Sequence, residues 1–201
     1  MKIIGLDFDN TIVCYDGVFQ KVAIENNLVT AEFATSKNQI RDYLRKMNQE
    51  DRWTELQGYI YGMCMMDAKP YPGVSDFFQH SKKSVNEVYI ISHRTLYPFL
   101  GPKYDLHQAA KDWIAQQRFQ NSHEVMLRSE SIFFELTKTE KTQRIIDLKC
   151  THYVDDLPEI LEMLPGNVIK ILFSPDNKPQ IPNDWKMIQS WFELTSLVKN
   201  S

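Results

Sequence analysis

Asp7 and Asp9, one residue apart, close the short apolar run Met1-Lys2-Ile3-Ile4-Gly5-Leu6, and Asn10 and Thr11 follow them. Strand side chains alternate between faces, so both carboxylates can project to one side while Phe8 points away. Two carboxylates held that close repel each other, and one is pushed toward its protonated form unless a cation lies between them. Such a pair can hold a divalent metal, or one Asp can act as a nucleophile beside the other. Two later apolar runs also end in reactive groups. Val88-Tyr89-Ile90-Ile91 leads into Ser92-His93-Arg94-Thr95, and His152-Tyr153-Val154 leads into Asp155-Asp156. Taken singly, each ending also reads as an ordinary polar turn, where Asp, Asn and Ser are favoured. Three such endings on one chain point to a shared site.

The elements that must position these residues alternate between two periods. Besides the runs above, Ser131–Phe134, Val168–Phe173 and Lys186–Ile188 read as strands. Helical spacing appears between them, over Val74–Lys82, Asp105–Phe119, Glu140–Leu148 and Ser190–Val198. Strands alternating with helices predict a parallel sheet with right-handed crossovers, an α/β fold of Rossmann-like, three-layer type. In such sheets ligands collect at the carboxyl ends of strands, near the point where the strand order reverses. Residues 15–70 break the alternation. They show three helical patterns, Val18–Leu28, Ser36–Asn48 and Arg52–Met66, the last with an apolar stripe of Trp53, Leu56, Tyr59, Ile60 and Met63 expected to face a core. The chain therefore divides into an α/β core, 1–14 and 71–201, and a small all-helical insertion, 15–70, that reads as a lid. Asp16, Arg52 and Tyr59 are the lid's candidates for facing a ligand. The stretch Thr95–Tyr104, with Pro98, Gly101 and Pro102, is long for a strand–helix connection, and long loops are often functional.

Bulk properties remove several classes of function. The 201 residues suffice for one good core, and 43% hydrophobic with 24% charged residues is ordinary for a soluble globular chain. Net charge −3 and a pI near 6.0 argue against general nucleic-acid binding. No apolar run reaches the roughly 20 residues that span a bilayer, and nothing resembles a signal or transit peptide. Cys14, Cys64 and Cys150 are far apart, odd in number and form no CxxC pair, so neither a disulfide framework nor a structural zinc is expected. A cytoplasmic protein without membrane partners is the expectation, with its oligomeric state left open.

The run Asp7-Phe8-Asp9-Asn10-Thr11, a strand ending in Ser92, a Lys near the start of a helix, and a strand ending in Asp155-Asp156 together resemble the haloacid dehalogenase superfamily. Its phosphatases combine DxDxT, a strand-terminal Ser or Thr, a Lys and an acidic DD or GDxxxD motif in this order. The resemblance covers the whole core, and residues 15–70 are similar to the small helical cap placed between the first and second motifs. It implies that Asp7 is the nucleophile that takes a phosphoryl group, and that Asp9 is the general acid and base. Ser92 would donate to a phosphoryl oxygen, and Lys141 would tie that group to Asp7, with Lys138 as the other candidate. The implied cofactor is Mg2+, held by Asp7, the backbone carbonyl of Asp9 and the Asp155/Asp156 pair. Asp156 aligns with the usual ligand, and Asp155 would contact the metal either directly or through a bound water. Thr11, His93 and Arg94 are candidates for contact with a small phosphate-ester substrate; Arg94 can either clamp a second anion or pair with a loop acid. The implied activity is hydrolysis of a small phosphate monoester. A nucleotidase, a phosphomutase or phosphonatase, and a non-catalytic binding module are the alternatives. A dehalogenase is disfavoured, since that branch lacks the second aspartate of the first motif.

Overall fold

The computed structural model describes residues 1–32, 36–84, 86–117, 120–121, 124–125 and 127–200. Six strands form one sheet: β1 (Ile3–Leu6), β2 (Glu87–His93), β3 (Ile132–Glu135), β4 (His152–Asp155), β5 (Ile169–Phe173) and β6 (Lys186–Ile188). Every pairing is parallel, and the order across the sheet is β6-β5-β4-β1-β2-β3. β1 lies between β2, with Ile3 opposite Glu87, and β4, with Ile4 opposite His152. The chain runs outward from β1 to β3 and then crosses back to β4. The order thus reverses between β1 and β4, which is where the sequence places Asp7 and Asp155.

Helices flank this sheet because its strands are apolar on both sides, as a parallel sheet requires. One cluster joins Ile91, Tyr153 and Leu172 of the sheet to Ile145 on α6 (Lys138–Asp147) and to Ile160 and Leu161 on α7 (Pro158–Glu162). Another is aromatic. Phe77 of α4 (Val74–Lys83) meets Trp191 of α8 (Trp191–Asn200) edge-on with ring centres 5.2 Å apart, and Phe173 lies 6.4 Å from the same ring. Along α8, Trp191, Leu194 and Val198 are the buried residues.

The chain divides into two compact units, and the second joins Cys14–Lys69 to Thr95–Ile114. It contains α1 (Val18–Glu25), α2 (Lys37–Lys46), α3 (Glu50–Met63) and most of α5 (Leu106–Gln116). Phe19, Ile40, Leu44, Trp53 and Ile60 form its interior, with Phe19 and Trp53 rings 5.2 Å apart. The helices match the expected patterns, with Ser36 capping α2 through Gln39 N–H. Two members of the expected α3 stripe, Tyr59 and Met63, are exposed instead of buried.

The unit also takes in residues 95–114, which the sequence assigns to the core. The physical cause lies on α3. A Cβ on Gly58 would sit 2.6 Å from Pro98 Cβ, and one on Gly62 would sit 2.4 Å from Tyr104 Cβ. Two glycines one turn apart let the 95–104 loop lie directly on the helix, and the indole N–H of Trp113 donates to the Ala68 carbonyl at 2.9 Å. Among the described residues no helix is long and apolar enough to cross a membrane.

Candidate active site

Backbone geometry sets the site before any side chain does. Asp7 continues the ladder beyond β1, its N–H donating to the Val154 carbonyl at 2.9 Å. The chain then turns sharply. Asn10 takes the left-handed conformation, φ 59°, which asparagine tolerates. The amides of Ile12 and Val13 both return to the Phe8 carbonyl at 3.0 Å. Phe8 is buried and edge-on to Phe134, so Asp7 and Phe8 diverge as the strand alternation predicts. The Trp191 indole N–H holds the turn from below through the Thr11 carbonyl at 3.0 Å.

Three strand ends and one helix then converge on Asp7. Ser92 Oγ donates to Asp7 Oδ1 at 2.8 Å, and Lys141 Nζ lies 2.6 Å from the same oxygen. Lys141 also reaches Asp155 Oδ2 at 2.7 Å, and the Leu157 amide donates to the other Asp155 oxygen at 2.9 Å. Asp7, Ser92, Lys141 and Asp155 are all buried. Burial alone would lower the Lys141 pKa, but attraction to Asp155 and Asp7 overrides it and raises the value, so the ammonium stays charged. Burial pushes the Asp155 carboxyl up to about 7, with Asp7 adding to the rise and Lys141 opposing it.

The site's donor set fits a hard divalent cation. Asp7, Asp155 and Asp156 each offer an oxygen, and these atoms lie within 4.8 Å of one another. All-oxygen ligation by a few carboxylates is what Mg2+ accepts. The Asp9 carboxylate is outside that set, so of the four expected ligand residues Asp9 brings no side chain to it, leaving only its backbone carbonyl. Both Asp155 oxygens are hydrogen-bonded, one to Lys141 Nζ and one to the Leu157 amide.

No protein-family model matches the sequence. A Bacillus cereus protein named "Putative nucleotidase" is 26% identical over 147 residues, covering 73% of this chain and 68% of its own. Among solved structures, a "predicted phosphatase" from Clostridium acetobutylicum superposes with a TM-score of 0.61 at 12% identity, over 100% of this chain and 99% of its own. A haloacid dehalogenase hydrolase from Entamoeba histolytica gives 0.59 at 14% identity over 100% of both chains. A protein of Rhodobacter sphaeroides solved with phosphate gives 0.55 at 11% identity, over 96% of each. The chain has the haloacid dehalogenase fold.

Within that fold the remaining expected residues take distinct places. Lys138 is exposed and paired with Glu159 at 2.7 Å, so Lys141 is the lysine at Asp7. Thr137 caps α6 through Glu140 N–H, which sets the helix start and places Lys141 on its buried side. Arg94 is buried, and its Nη1 donates to both Asp9 oxygens at 2.7 and 2.6 Å. His93 turns to the main chain, its Nε2 lying 3.1 Å from the Leu136 carbonyl. Thr11 is fully buried with its hydroxyl unpaired among the described residues. In the helical unit Arg52 and Tyr59 line a cavity of about 290 Å³ with Asn26, Leu56 and Tyr104, whereas Asp16 is exposed on the surface.

One residue packed against the candidate site escapes the sequence motifs. Tyr153 is completely buried, its hydroxyl donates to the Ile91 carbonyl at 2.6 Å, and its ring lies 5.6 Å from Lys141 Nζ. The available signal is Gly5, which pairs with Tyr153 across the ladder. A Cβ there would sit 2.6 Å from the ring, and a glycine inside a strand marks such a close approach.

Proposed function

We propose that the protein is a Mg2+-dependent phosphatase that hydrolyses a small phosphate monoester through an aspartyl-phosphate on Asp7. The supporting observation is the Asp7 carboxylate, held at the carboxyl end of β1 by Ser92 at 2.8 Å and Lys141 at 2.6 Å. In the first step an Asp7 oxygen attacks phosphorus while the ester P–O bond breaks, and Asp9 gives its proton to the departing oxygen. In the second, water loses a proton to Asp9 and attacks the same phosphorus, releasing inorganic phosphate and restoring the Asp7 carboxylate. Lys141 faces the charge that gathers on the phosphoryl oxygens, and Ser92 turns from Asp7 to donate to one of them. The Arg94 amide is occupied by the Glu135 carbonyl at 2.9 Å, so it takes no part in that cradle.

Asp7, Asp156 and the Asp9 carbonyl would hold the Mg2+, which when bound neutralises charge on the transferring group. Substrate selection falls to the helical unit, in keeping with its resemblance to a cap. The similarity to a protein named as a nucleotidase makes nucleoside monophosphates the first compounds to screen.

The test is hydrolysis of a panel of phosphorylated metabolites and para-nitrophenyl phosphate, with Mg2+ or with EDTA. Activity should vanish with EDTA and fall by at least about 10³-fold in Asp7→Asn. Full turnover by Asp7→Asn would overturn the nucleophile assignment.

A further inference from the structure

The Arg94–Asp9 pair, buried on the arginine side, is a charged contact of the site that the phosphatase motifs do not require. Arg94 stands one residue beyond β2, with its amide fixed to the Glu135 carbonyl of β3 and its guanidinium carbon 5.8 Å from the Phe8 ring centre. Its side chain is 3% exposed against 19% for Asp9, so the guanidinium is the anchored partner and the carboxylate the half-open one. One nitrogen contacts both carboxylate oxygens at 2.7 and 2.6 Å. Asp9 itself sits on the turn that Asn10 closes, where the backbone fixes its Cα but not its χ angles. A carboxylate must meet the departing oxygen within hydrogen-bond reach, and a displacement of about 1 Å can cost 10²-fold in rate.

Resting on the phosphatase assignment above, we infer that Arg94 is the positioning residue for Asp9, fixing the direction from which the leaving oxygen receives its proton, and that it is not a clamp for the substrate's phosphate. An arginine with both Asp9 oxygens on one nitrogen is committed to a neighbour before any ligand arrives. Lysine could supply the charge but not the planar, preset geometry.

The distinguishing property is the leaving group. A dinitrophenolate departs without help, whereas an alkoxide needs its proton in the transition state. We would measure kcat/KM for dinitrophenyl, phenyl and alkyl phosphates with the Mg2+-loaded protein and with Arg94→Ala, Arg94→Lys, Asp9→Ala and the double variant. The loss in Arg94→Ala should grow along the series, reaching about 10²-fold or more on the alkyl ester while being much smaller on the dinitrophenyl ester. Arg94→Lys should recover part of the alkyl-ester loss. The double variant should be no worse than Asp9→Ala, because the two residues act as one unit.

A loss of equal size for every leaving group, or one confined to KM with weaker inhibition by inorganic phosphate, would make Arg94 a substrate clamp and overturn the inference. Additive losses in the double variant would do the same. Circular dichroism and thermal melts identify a variant that fails to fold; Arg94→Lys, which retains a buried cation, then carries the test. Activity surviving in Asp7→Asn would instead strike at the phosphatase assignment, so the two failures are separable.

Discussion

Lys141 is the residue on which two buried carboxylates depend, at 2.6 Å from Asp7 and 2.7 Å from Asp155. Removing one partner from a buried ion cluster leaves charge uncompensated and costs about 3–5 kcal/mol. Lys141→Met should therefore lower unfolding stability by that amount in metal-free buffer, and added Mg2+ should restore part of it by supplying another cation. Urea titrations with and without Mg2+ check this; a variant as stable as the parent would contradict it. A second residue sets a pH dependence. His152 is buried with its Nε2 unpaired among the described residues, and burial, aided by the Lys2 charge, lowers its pKa. The unfolded chain then binds a proton near pH ~6.5 that the folded chain refuses, so stability is full above that value and declines as pH falls toward the lowered one. Burial lowers His93 as well, so it contributes with the same sign. Replacing His152 by Asn should flatten the acid slope of urea midpoints measured at successive pH values.

At the scale of elements, the two α3 glycines make a sharp case. An alanine in mid-helix is favoured over glycine by about 1 kcal/mol, but a Cβ at position 62 would overlap the Tyr104 Cβ, an atom that cannot swing aside. Overpacking of that kind costs about 1–3 kcal/mol, so Gly62→Ala should be net destabilising. Gly166→Ala, where nothing lies within 4 Å, should not be. Thermal melts of the two variants compare them directly. These glycines also show where the sequence stops being legible. Apolar runs ending in Asp7, Ser92 and Asp155 reveal the strands and the reactive ends, because a parallel sheet writes its period and its switch point into local composition. Residues 95–114 carry an amphipathic helix that would suit either unit, and the missing Cβ atoms on α3, with the Trp113 bond to the Ala68 carbonyl, tie it to the helical one. The Arg94–Asp9 contact is hidden for a similar reason. Its partners are 85 residues apart, and a long side chain at a strand end has several acids within reach.

Across the whole molecule, Mg2+ is expected to bind the folded form and not the unfolded chain. Melting temperature should therefore rise with Mg2+ concentration in the parent protein, by mass action, and stay flat in Asp156→Ala. An equal rise in both would place the ion elsewhere. The central position of β1 has a consequence for biosynthesis. Its two sheet neighbours pair at Glu87 and His152, so β1 is flanked on both sides only after the chain as far as β4 has followed it. At about 5–20 residues per second, the wait between Ile4 and His152 lasts roughly 7–30 s. Until β2 follows, Ile3-Ile4-Gly5-Leu6 is an apolar segment with both edges unpaired, the kind of segment that invites aberrant pairing. Two negative charges at its end are the kind of gatekeeper that suppresses such pairing. Asp7 and Asp9 would then guard the nascent chain before the sheet around them has formed.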